Sequence, residues 1–328
     1  MESRRAGSRG AWEGRGSVTS ALEAALSWMR GPRLAHVPMA RYTSLRVGGP
    51  ADLLAIPADV DELQALIAWG RTQGVPLTIL GNGTNLIVRS GGVRGLVVSL
   101  RLALNHLCLL DSTSLDNVQA GELVRLRVGA GVPLPRLLHL MIHQGLTGLT
   151  FAVGIPGTMG GAVVMNAGTD VGSTWDVVER VTLLLPDGCI VERARHEVAV
   201  GYRRAELPAG SVVLEAILGT RKADAGQVRA EVRRIYRCRC QSQPLSQPNA
   251  GSVFKNPPAE RAGRLIEQVG LKGHRVGDAQ VSPKHANFIV NLGHASPDDV
   301  LALIDEVKHR VFVQTDVLLE EEVRIVGE

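Results

Sequence analysis

Aromatic residues are scarce in this chain: Phe, Trp and Tyr together make up 3% of its 328 residues. Proteins that bind single-stranded nucleic acid stack the bases on aromatic side chains, and this sequence offers few of them. The pI of 9.1 does not change that assessment, because the surplus of positive charge is local. Residues 1–33 contain six Arg and three Glu, whereas the rest of the chain contains 30 basic and 29 acidic side chains. We therefore expect no nucleic-acid partner.

Long hydrophobic runs are missing as well. No apolar stretch reaches the roughly 20 residues that a membrane helix needs, and residues 1–18 lack the apolar centre of a signal peptide. The four cysteines, Cys108, Cys189, Cys238 and Cys240, do not have the paired spacing of a zinc site. We expect a cytoplasmic protein with reduced thiols, no bound metal and no contact with a membrane.

The length of the chain allows two or three domains, each with its own core. Residues 1–34 contain Arg, Gly and Ser without periodicity, and we interpret them as a mobile N-terminal extension, although residues 19–29 could form a short helix. We expect deletion of residues 1–30 to leave turnover unchanged. Strand and helix patterns then mix along the chain, which favours an α+β fold. We expect a domain over residues 35–220, made of two lobes split near residue 101, and a C-terminal domain over residues 221–328.

A glycine-rich loop, Gly81-Asn82-Gly83-Thr84-Asn85, follows the predicted strand at residues 75–80. A dinucleotide fold of the Rossmann type requires a strand, then G-x-G-x-x-G, then a helix. Here the third glycine is missing and residues 86–88 are strand-like, which argues against that fold. Two glycines between strands can still bind phosphate, because successive backbone N–H groups form an anion site.

A second glycine-rich segment, residues 154–162, contains four glycines and one proline. That composition disfavours a helix or strand, and it suits a backbone that lies close against a flat ring system. Residues 249–257 read N-A-G-S-V-F-K-N-P, which places a hydroxyl, an ammonium and an amide within five positions. Such a segment by itself is more often a turn before a strand.

The C-terminal residues 319–326 read L-E-E-E-V-R-I-V, and we predict a strand over residues 317–326. In a strand, Glu320 and Glu322 would share one face, and Leu319 and Glu321 the other. A run of glutamates is more often a solvated surface than a catalytic one, so the pattern alone does not assign a function.

Four blocks, at residues 42–50, 153–168, 249–257 and 319–326, resemble in order the UDP-N-acetylenolpyruvoylglucosamine reductase (UDP-N-acetylmuramate dehydrogenase) family. The resemblance covers about residues 35–327. It implies a two-lobed FAD-binding domain of the vanillyl-alcohol-oxidase (PCMH) type and a smaller α+β substrate-binding domain. It also implies NADPH-dependent, FAD-mediated reduction of UDP-N-acetylglucosamine-enolpyruvate to UDP-N-acetylmuramate, a peptidoglycan precursor. We expect tight, non-covalent FAD, small-molecule partners only and a monomer.

The resemblance also implies roles for individual residues. Arg203 would hold the substrate carboxylate, Ser252 would donate a proton, and Glu322 would complete the catalytic set. The FAD contacts would be Arg46, Gly48, Gly49, Gly81, Gly83, Thr84, Asn85, Gly154, Ile155, Pro156, Gly157, Thr158, Gly160, Gly161 and Ala162. Tyr202, Lys255 and Asn256 would contact the substrate.

The sequence departs from the family pattern at one position and lacks one insertion. Ala205 stands where the family commonly has a serine, and the 49 positions between Arg203 and Ser252 leave no room for a tyrosine-bearing loop that one subtype carries. Two other functions stay open. One is a PCMH-type oxidase or dehydrogenase of alcohols or sugars, although residues 81–92 lack the His or Cys that often binds FAD covalently. The other is a non-catalytic flavin- or UDP-sugar-binding protein.

Overall fold

The computed structural model describes residues 15–110, 115 and 117–328, with side chains from residue 19 onward. Its helices are α1 (Arg15–Ala25), α2 (Val60–Gln73), α3 (Leu134–Gln144), α4 (Met159–Met165), α5 (Ala225–Ser242), α6 (Ala262–Gln268) and α7 (Pro297–Thr315). Its strands are β1 (Arg33–Pro38), β2 (Pro50–Ala55), β3 (Leu77–Leu80), β4 (Leu86–Val88), β5 (Val93–Ser99), β6 (Leu107–Leu109), β7 (Leu123–Gly129), β8 (Leu146–Thr147), β9 (Gly168–Thr169), β10 (Gly172–Ser173), β11 (Val178–Leu184), β12 (Ile190–Ala194), β13 (Val200–Gly201), β14 (Arg204–Ala205), β15 (Val212–Lys222), β16 (Asn249–Ser252), β17 (Arg275–Val276), β18 (Ala279–Val281), β19 (Phe288–Asn291) and β20 (Arg324–Val326). Within this part of the chain no helix is long and apolar enough to cross a membrane.

The first sheet has the order β1-β2-β5-β3, with β2, β5 and β3 parallel and β1 antiparallel at the edge. Helix α2 joins β2 to β3, and the sequence predicts it: Asp59 and Glu62 have the spacing of a capping box, and the helix is expected to run to Gly74. The Asp59 side chain accepts a hydrogen bond from Glu62 N at 2.9 Å, and Gly74 ends the helix with a φ of 65°. The predicted capping box is only half formed, because the Glu62 carboxylate accepts from Gly31 N at 3.2 Å and Ala58 N at 2.5 Å.

Residues 19–34 are part of the folded core, which contradicts their interpretation as part of a mobile extension, whereas residues 1–14 of that prediction lie outside the described residues. Leu22 of α1 is 1% exposed, and Leu26 and Met29, which follow the end of the helix at Ala25, are buried in the same core. Helix α1 itself contacts β1 and β2 of the first sheet. The Glu62 carboxylate accepts hydrogen bonds from the backbone N–H groups of Arg30 and Gly31, and these bonds hold the segment against α2. Removing this segment would expose apolar surface.

Replacing Leu26 with alanine should therefore destabilise the protein by about 2–5 kcal/mol, the usual cost of truncating a buried leucine. Urea unfolding followed by circular dichroism would measure the change. Glu23→Ala is the matched control, because Glu23 lies three residues earlier and is exposed, and its replacement should change stability by less than about 0.5 kcal/mol. A Leu26→Ala protein as stable as the wild type would contradict the packing of this N-terminal segment on the core.

The second sheet has the order β12-β11-β15-β7-β6, and β8 pairs with the end of β15. All its pairings are antiparallel. The dipeptide Asp187-Gly188 predicts a hairpin between two short strands, and in the structure it joins β11 to β12. Helix α3 buries Leu134, Leu137 and Met141 in the same core as the first sheet.

Helix α5 also packs on this first core, through Val232 and Ile235. The structure therefore differs from the predicted domain boundary near residue 221, because α5 belongs with the preceding sheet. A second core forms after α5, under the sheet β16-β19-β18-β17 and helices α6 and α7. Its largest fully buried side chain is Phe254.

The C-terminal strand is shorter than predicted. Only β20 (Arg324–Val326) is strand, and it pairs in parallel with β4 of the N-terminal half. The preceding residues do not alternate: Leu319 is buried, the Glu320 side chain is 71% exposed, and the Glu322 side chain is 14% exposed. The predicted alternation is wrong because residues 317–323 run as irregular backbone, bonded to the loop after β16 rather than to a sheet.

Candidate active site

One large cavity of about 2150 Å³ lies among the described residues, between the two sheets of the first core and the C-terminal domain. Arg203, Ser252 and Glu322, the three predicted catalytic residues, all line it. The two predicted glycine-rich FAD segments lie on its wall, and helices α5 and α6 contribute further residues. The structure thus brings residues from widely separated parts of the chain around one space.

Arg203 and Glu322 form a direct ion pair in this cavity. Arg203 Nε donates to Glu322 Oε1 at 2.6 Å, and the two side chains are 18% and 14% exposed. Charge-assisted hydrogen bonds of this length are strong, and burial limits screening by solvent. Within the described chain neither Nη atom of Arg203 has a protein acceptor. The pair therefore fixes the guanidinium and leaves its outer edge for a ligand.

The backbone around Arg203 is held in an unusual conformation. Arg203 lies in the turn between β13 and β14 with a φ of 56°, which non-glycine residues rarely adopt. Asn166 Nδ2 donates to Gly201 O at 2.9 Å and ties the turn to the end of α4. Such a conformation costs free energy and persists only where the surrounding contacts impose it. Ala205 then follows in β14, so no serine hydroxyl supports the arginine here.

Both the backbone N–H and the backbone carbonyl of Glu322 form hydrogen bonds. Its N–H donates to Val253 O at 2.8 Å, one residue after Ser252. Its carbonyl accepts from Asn85 Nδ2 at 3.1 Å, and Asn85 O in turn accepts from Arg324 N at 2.9 Å. Asn85, a predicted FAD contact, therefore also links the first glycine loop to the glutamate.

Burial raises the pKa of the Glu322 carboxyl above its usual range, although the charges of Arg203 and then Lys255 act in the opposite direction. Desolvation is the larger effect because the carboxyl is mostly removed from water. Glu321 differs: its carboxylate pairs with Lys308 Nζ at 2.6 Å, away from the cavity. The two adjacent glutamates therefore have separate surroundings.

Ser252 ends β16 and lines the cavity beside this pair. Its hydroxyl has no hydrogen-bond partner in the described part of the chain, so it is available to a ligand. Asn287 fixes the following residues: its Oδ1 accepts from Phe254 N at 3.0 Å, and its Nδ2 donates to Phe254 O at 2.8 Å. Asn287 is buried. The sequence predicts a strand over residues 287–291, but it does not single out Asn287 as a residue of the site.

Most of the predicted FAD contacts meet at one end of the cavity. Asn82 Nδ2 donates to Pro156 O at 2.9 Å, and a Cβ at Gly81 would lie 2.6 Å from Thr158 Oγ1, so the two glycine segments touch. The predicted contacts that line the cavity are Arg46, Gly81, Gly83, Thr84, Asn85, Gly154, Ile155, Pro156, Gly157, Thr158, Gly160, Gly161 and Ala162. Two glycine loops at close quarters leave backbone N–H groups accessible to phosphate oxygens.

Gly48 and Gly49 do not line the cavity. A Cβ at Gly49 would lie 2.1 Å from Ser90 O, and one at Gly48 would lie 3.0 Å from Val88 Cβ. These glycines let two chain segments pack closely, which is a structural role. The second glycine segment also differs from expectation, because α4 begins inside it at Met159. Gly160 permits that helix to approach Ala130, whose Cβ would lie 2.8 Å from an added Cβ.

Only one of the three predicted substrate contacts lines the cavity. Asn256 lines the cavity, and its Oδ1 accepts from Ala262 N at 3.1 Å at the start of α6. Lys255 pairs with Glu320, and neither it nor Tyr202 is among the lining residues. The Tyr202 hydroxyl accepts from Asn256 N at 3.3 Å, and its ring lies 5.0 Å from the Arg203 guanidinium carbon. Tyr202 therefore contacts Asn256 and Arg203 from outside the cavity.

The remaining wall is basic, and sequence reasoning did not identify it. Further cations of the lining are Arg234, Arg239, Arg261, Arg264, Lys272, Lys284 and Arg324, whereas the acids besides Glu322 are Asp170 and Glu267. A cavity with such an excess of positive charge attracts anionic ligands. Arg261 pairs with Asp170 of the β9–β10 turn at 3.1 Å, a contact that joins α6 to the opposite wall.

Comparison with known proteins assigns the family. Residues 51–193 match the FAD binding domain model, and residues 243–326 match the model for the C-terminal domain of UDP-N-acetylenolpyruvoylglucosamine reductase. A reductase of that name from Pelobacter propionicus is 44% identical over 300 residues, which are 92% of this chain and 97% of the relative. The chain belongs to the UDP-N-acetylenolpyruvoylglucosamine reductase family. A second relative, from Symbiobacterium thermophilum, is 46% identical over 291 residues, which are 88% of this chain and 91% of the relative.

A solved structure supports membership of the reductase family. The UDP-N-acetylenolpyruvylglucosamine reductase of Thermus caldophilus superposes with a TM-score of 0.73 at 36% identity and covers 91% of this chain and 100% of its own. The predicted fold is confirmed: an FAD-binding domain of the PCMH type is followed by the C-terminal domain of the reductase family. The enzyme class and the use of FAD and NADPH, both predicted from the resemblance, are confirmed with it.

Proposed function

We propose that this chain catalyses the NADPH-dependent, FAD-mediated reduction of UDP-N-acetylglucosamine-enolpyruvate to UDP-N-acetylmuramate for peptidoglycan synthesis. The observation that carries the proposal is the half-buried Arg203–Glu322 pair in a cavity that Ser252 also lines, with no hydrogen-bond partner for its hydroxyl in the described part of the chain. An enol ether conjugated to a carboxylate gains negative charge as it is reduced. The reaction therefore needs a cation at the carboxylate and a proton donor at the neighbouring carbon.

The residues of the cavity fit FAD. Its volume of about 2150 Å³ exceeds the few hundred to about 1,000 Å³ of an ordinary ligand pocket, as a site for FAD and a nucleotide sugar together requires. The touching glycine loops at Gly81 and Thr158 offer backbone donors for its diphosphate. When bound, FAD supplies the electron transfer between NADPH and the enolpyruvyl group.

Arg203 would bind and orient the substrate carboxylate. Its Nε is occupied by Glu322, so both Nη atoms face the ligand from a fixed position. A planar guanidinium can donate two parallel hydrogen bonds to a carboxylate, and these strengthen as the carboxylate gains enolate charge. Because Glu322 already fixes the guanidinium, little reorganisation is required during the reaction.

Ser252 would donate the proton to the carbon next to the carboxylate. Serine is a weak acid in water, so its surroundings must favour the transfer. Glu322, bonded through its backbone to Val253, lies on the adjoining segment and with solvent can return a proton to the hydroxyl. The arrangement assigns charge stabilisation to Arg203 and proton donation to Ser252.

Two finer statements belong to the same proposal. We propose that the enzyme acts in the cytoplasm, where NADPH and nucleotide sugars are made. We propose that it acts as a monomer, because one chain contributes both walls of the cavity and all three catalytic residues. Size-exclusion chromatography with light scattering would test the second statement, and a dimer at working concentration would contradict it.

Anaerobic stopped-flow absorbance tests the function directly. The purified protein should be yellow and should release FAD on denaturation. Mixing with NADPH should bleach the flavin, and subsequent addition of UDP-N-acetylglucosamine-enolpyruvate should restore its absorbance without oxygen. Two outcomes would contradict the proposal: a protein that takes up no FAD, or an oxidised flavin that alcohols or sugars reduce while the enolpyruvyl substrate does not reoxidise the reduced flavin.

A further inference from the structure

A second arginine, Arg239, faces the same cavity as Arg203 but has no carboxylate partner. It lies in the last turn of α5. Its Nη1 donates to Val153 O at 2.8 Å, and its Nε and Nη2 donate to Gln243 Oε1 at 3.2 Å and 2.9 Å. Both acceptors are neutral, and none of the ion pairs formed by the described residues includes Arg239.

The charge of Arg239 is costly in this position. Burial, and secondly the nearby charge of Arg203, lower the pKa of the Arg239 guanidinium below its usual range. Arginine keeps its proton in proteins nonetheless, so the cation stays charged in a partly desolvated place. Buried charges in native proteins are paired or bind an ion. An uncompensated cation on a cavity wall therefore points to an anionic ligand.

The guanidinium is also fixed in orientation. A Cβ at Gly154 would lie 3.1 Å from Arg239 Nε, so the side chain packs against the start of the second glycine segment. Gly154 has a φ of 79°, which favours glycine at this position. Three of the five N–H donors are used by Val153 and Gln243. The two that remain, one on each Nη, suit a ligand that accepts two parallel hydrogen bonds.

We propose that Arg239 is an anion-binding residue at the glycine-loop end of the cavity, and that its ligand is a planar anion with two acceptor atoms. Two molecules of the proposed reaction carry this chemistry. One is reduced flavin, whose negative charge spreads over the pyrimidine edge, and the other is the carboxylate of the enolpyruvyl substrate or its product. The choice between these sources rests on the proposed function, whereas the anion site itself rests on the geometry of Arg239.

The test compares Arg239→Gln and Arg239→Lys with the wild type, and uses Arg237→Gln as the matched control. Arg237 is exposed on the same helix and is not part of the cavity wall, so its replacement removes an equal charge nearby. Two quantities are measured on the FAD-bound protein. They are the midpoint potential of the flavin, and the dissociation constant of UDP-N-acetylmuramate from its effect on the flavin spectrum.

The two candidate ligands, reduced flavin and the carboxylate of the substrate or product, predict different effects on the potential and on product affinity. If Arg239 stabilises reduced flavin, Arg239→Gln should weaken binding of the reduced form at least tenfold relative to the oxidised form, which lowers the potential by about 30 mV for two electrons. Arg239→Lys should then restore most of the potential, because it keeps the charge. If Arg239 binds the carboxylate, both variants should weaken product binding at least tenfold, since lysine cannot form the planar pair.

Unchanged potential and product affinity in both Arg239 variants would overturn the proposal. A loss of FAD affinity alone would overturn it too, because it would place a phosphate rather than a planar anion at Arg239. Where Arg239→Gln does not retain FAD, Arg239→Met, which also removes the charge, is measured in its place. A wild-type protein that binds FAD but does not reduce the enolpyruvyl substrate would contradict the proposed function and leave the shift in potential measurable.

Discussion

Replacing Ser252 with alanine should slow reoxidation of the reduced flavin by the enolpyruvyl substrate by roughly 10²–10⁴-fold, the usual contribution of a positioned proton donor. Reduction of the flavin by NADPH should stay near the wild-type rate, because that step does not use the hydroxyl. Substrate affinity should change little, since one hydroxyl contributes only about 1 kcal/mol of net hydrogen-bond free energy. Anaerobic stopped-flow absorbance measures the two half-reactions separately.

The control for this prediction is Ser246→Ala. Ser246 also lines the cavity and is exposed, but it lies in the segment that precedes β16. It should leave both half-reactions near wild-type rates. Equal slowing of both half-reactions by Ser252→Ala would indicate general damage to the flavin site. Near-normal reoxidation would mean that the proton comes from another group.

Local signals in the sequence predicted the elements that depend on local chemistry. Asp59 and Gly74 mark the ends of α2, and Asp187-Gly188 marks a hairpin, because a cap or a tight turn needs particular residue types at fixed positions. The packing of the N-terminal segment also has a signal, the spacing of Leu22, Leu26 and Met29. Residues 19–29 could form a short helix on this spacing, but the surrounding Arg, Gly and Ser indicate a chain without a core.

Elements that depend on distant partners could not be predicted. β20 is short because it pairs with β4, more than 230 residues earlier, and no local pattern reveals that partner. The ion pair of Arg203 and Glu322 joins residues 119 positions apart. A family resemblance named both residues, but their contact follows only from the fold. Arg239 illustrates the same limit, because its isolation from carboxylates is a property of the folded chain.

Glu322→Gln should slow reoxidation by the substrate on the order of 10²-fold or more, because loss of the carboxylate frees the guanidinium that stabilises developing charge. Flavin reduction by NADPH should be much less affected. Glu321→Gln removes the same charge one residue away, yet it breaks only the pair with Lys308. That pair is partly exposed, so its loss should cost about 1 kcal/mol of stability or less and leave both rates near normal.

The pH dependence of reoxidation separates a chemical role of Glu322 from a structural one. Burial raises the pKa of this carboxyl, so the ionised form that pairs with Arg203 is lost at a higher pH than for an exposed glutamate. The wild-type rate should therefore fall as the pH is lowered through that raised pKa, and recover as the pH rises. This decrease in rate at low pH should be absent in Glu322→Gln and present in Glu321→Gln. If the decrease is lost in the Glu321 variant instead, the catalytic carboxylate is Glu321, and the proposed role of Glu322 is wrong.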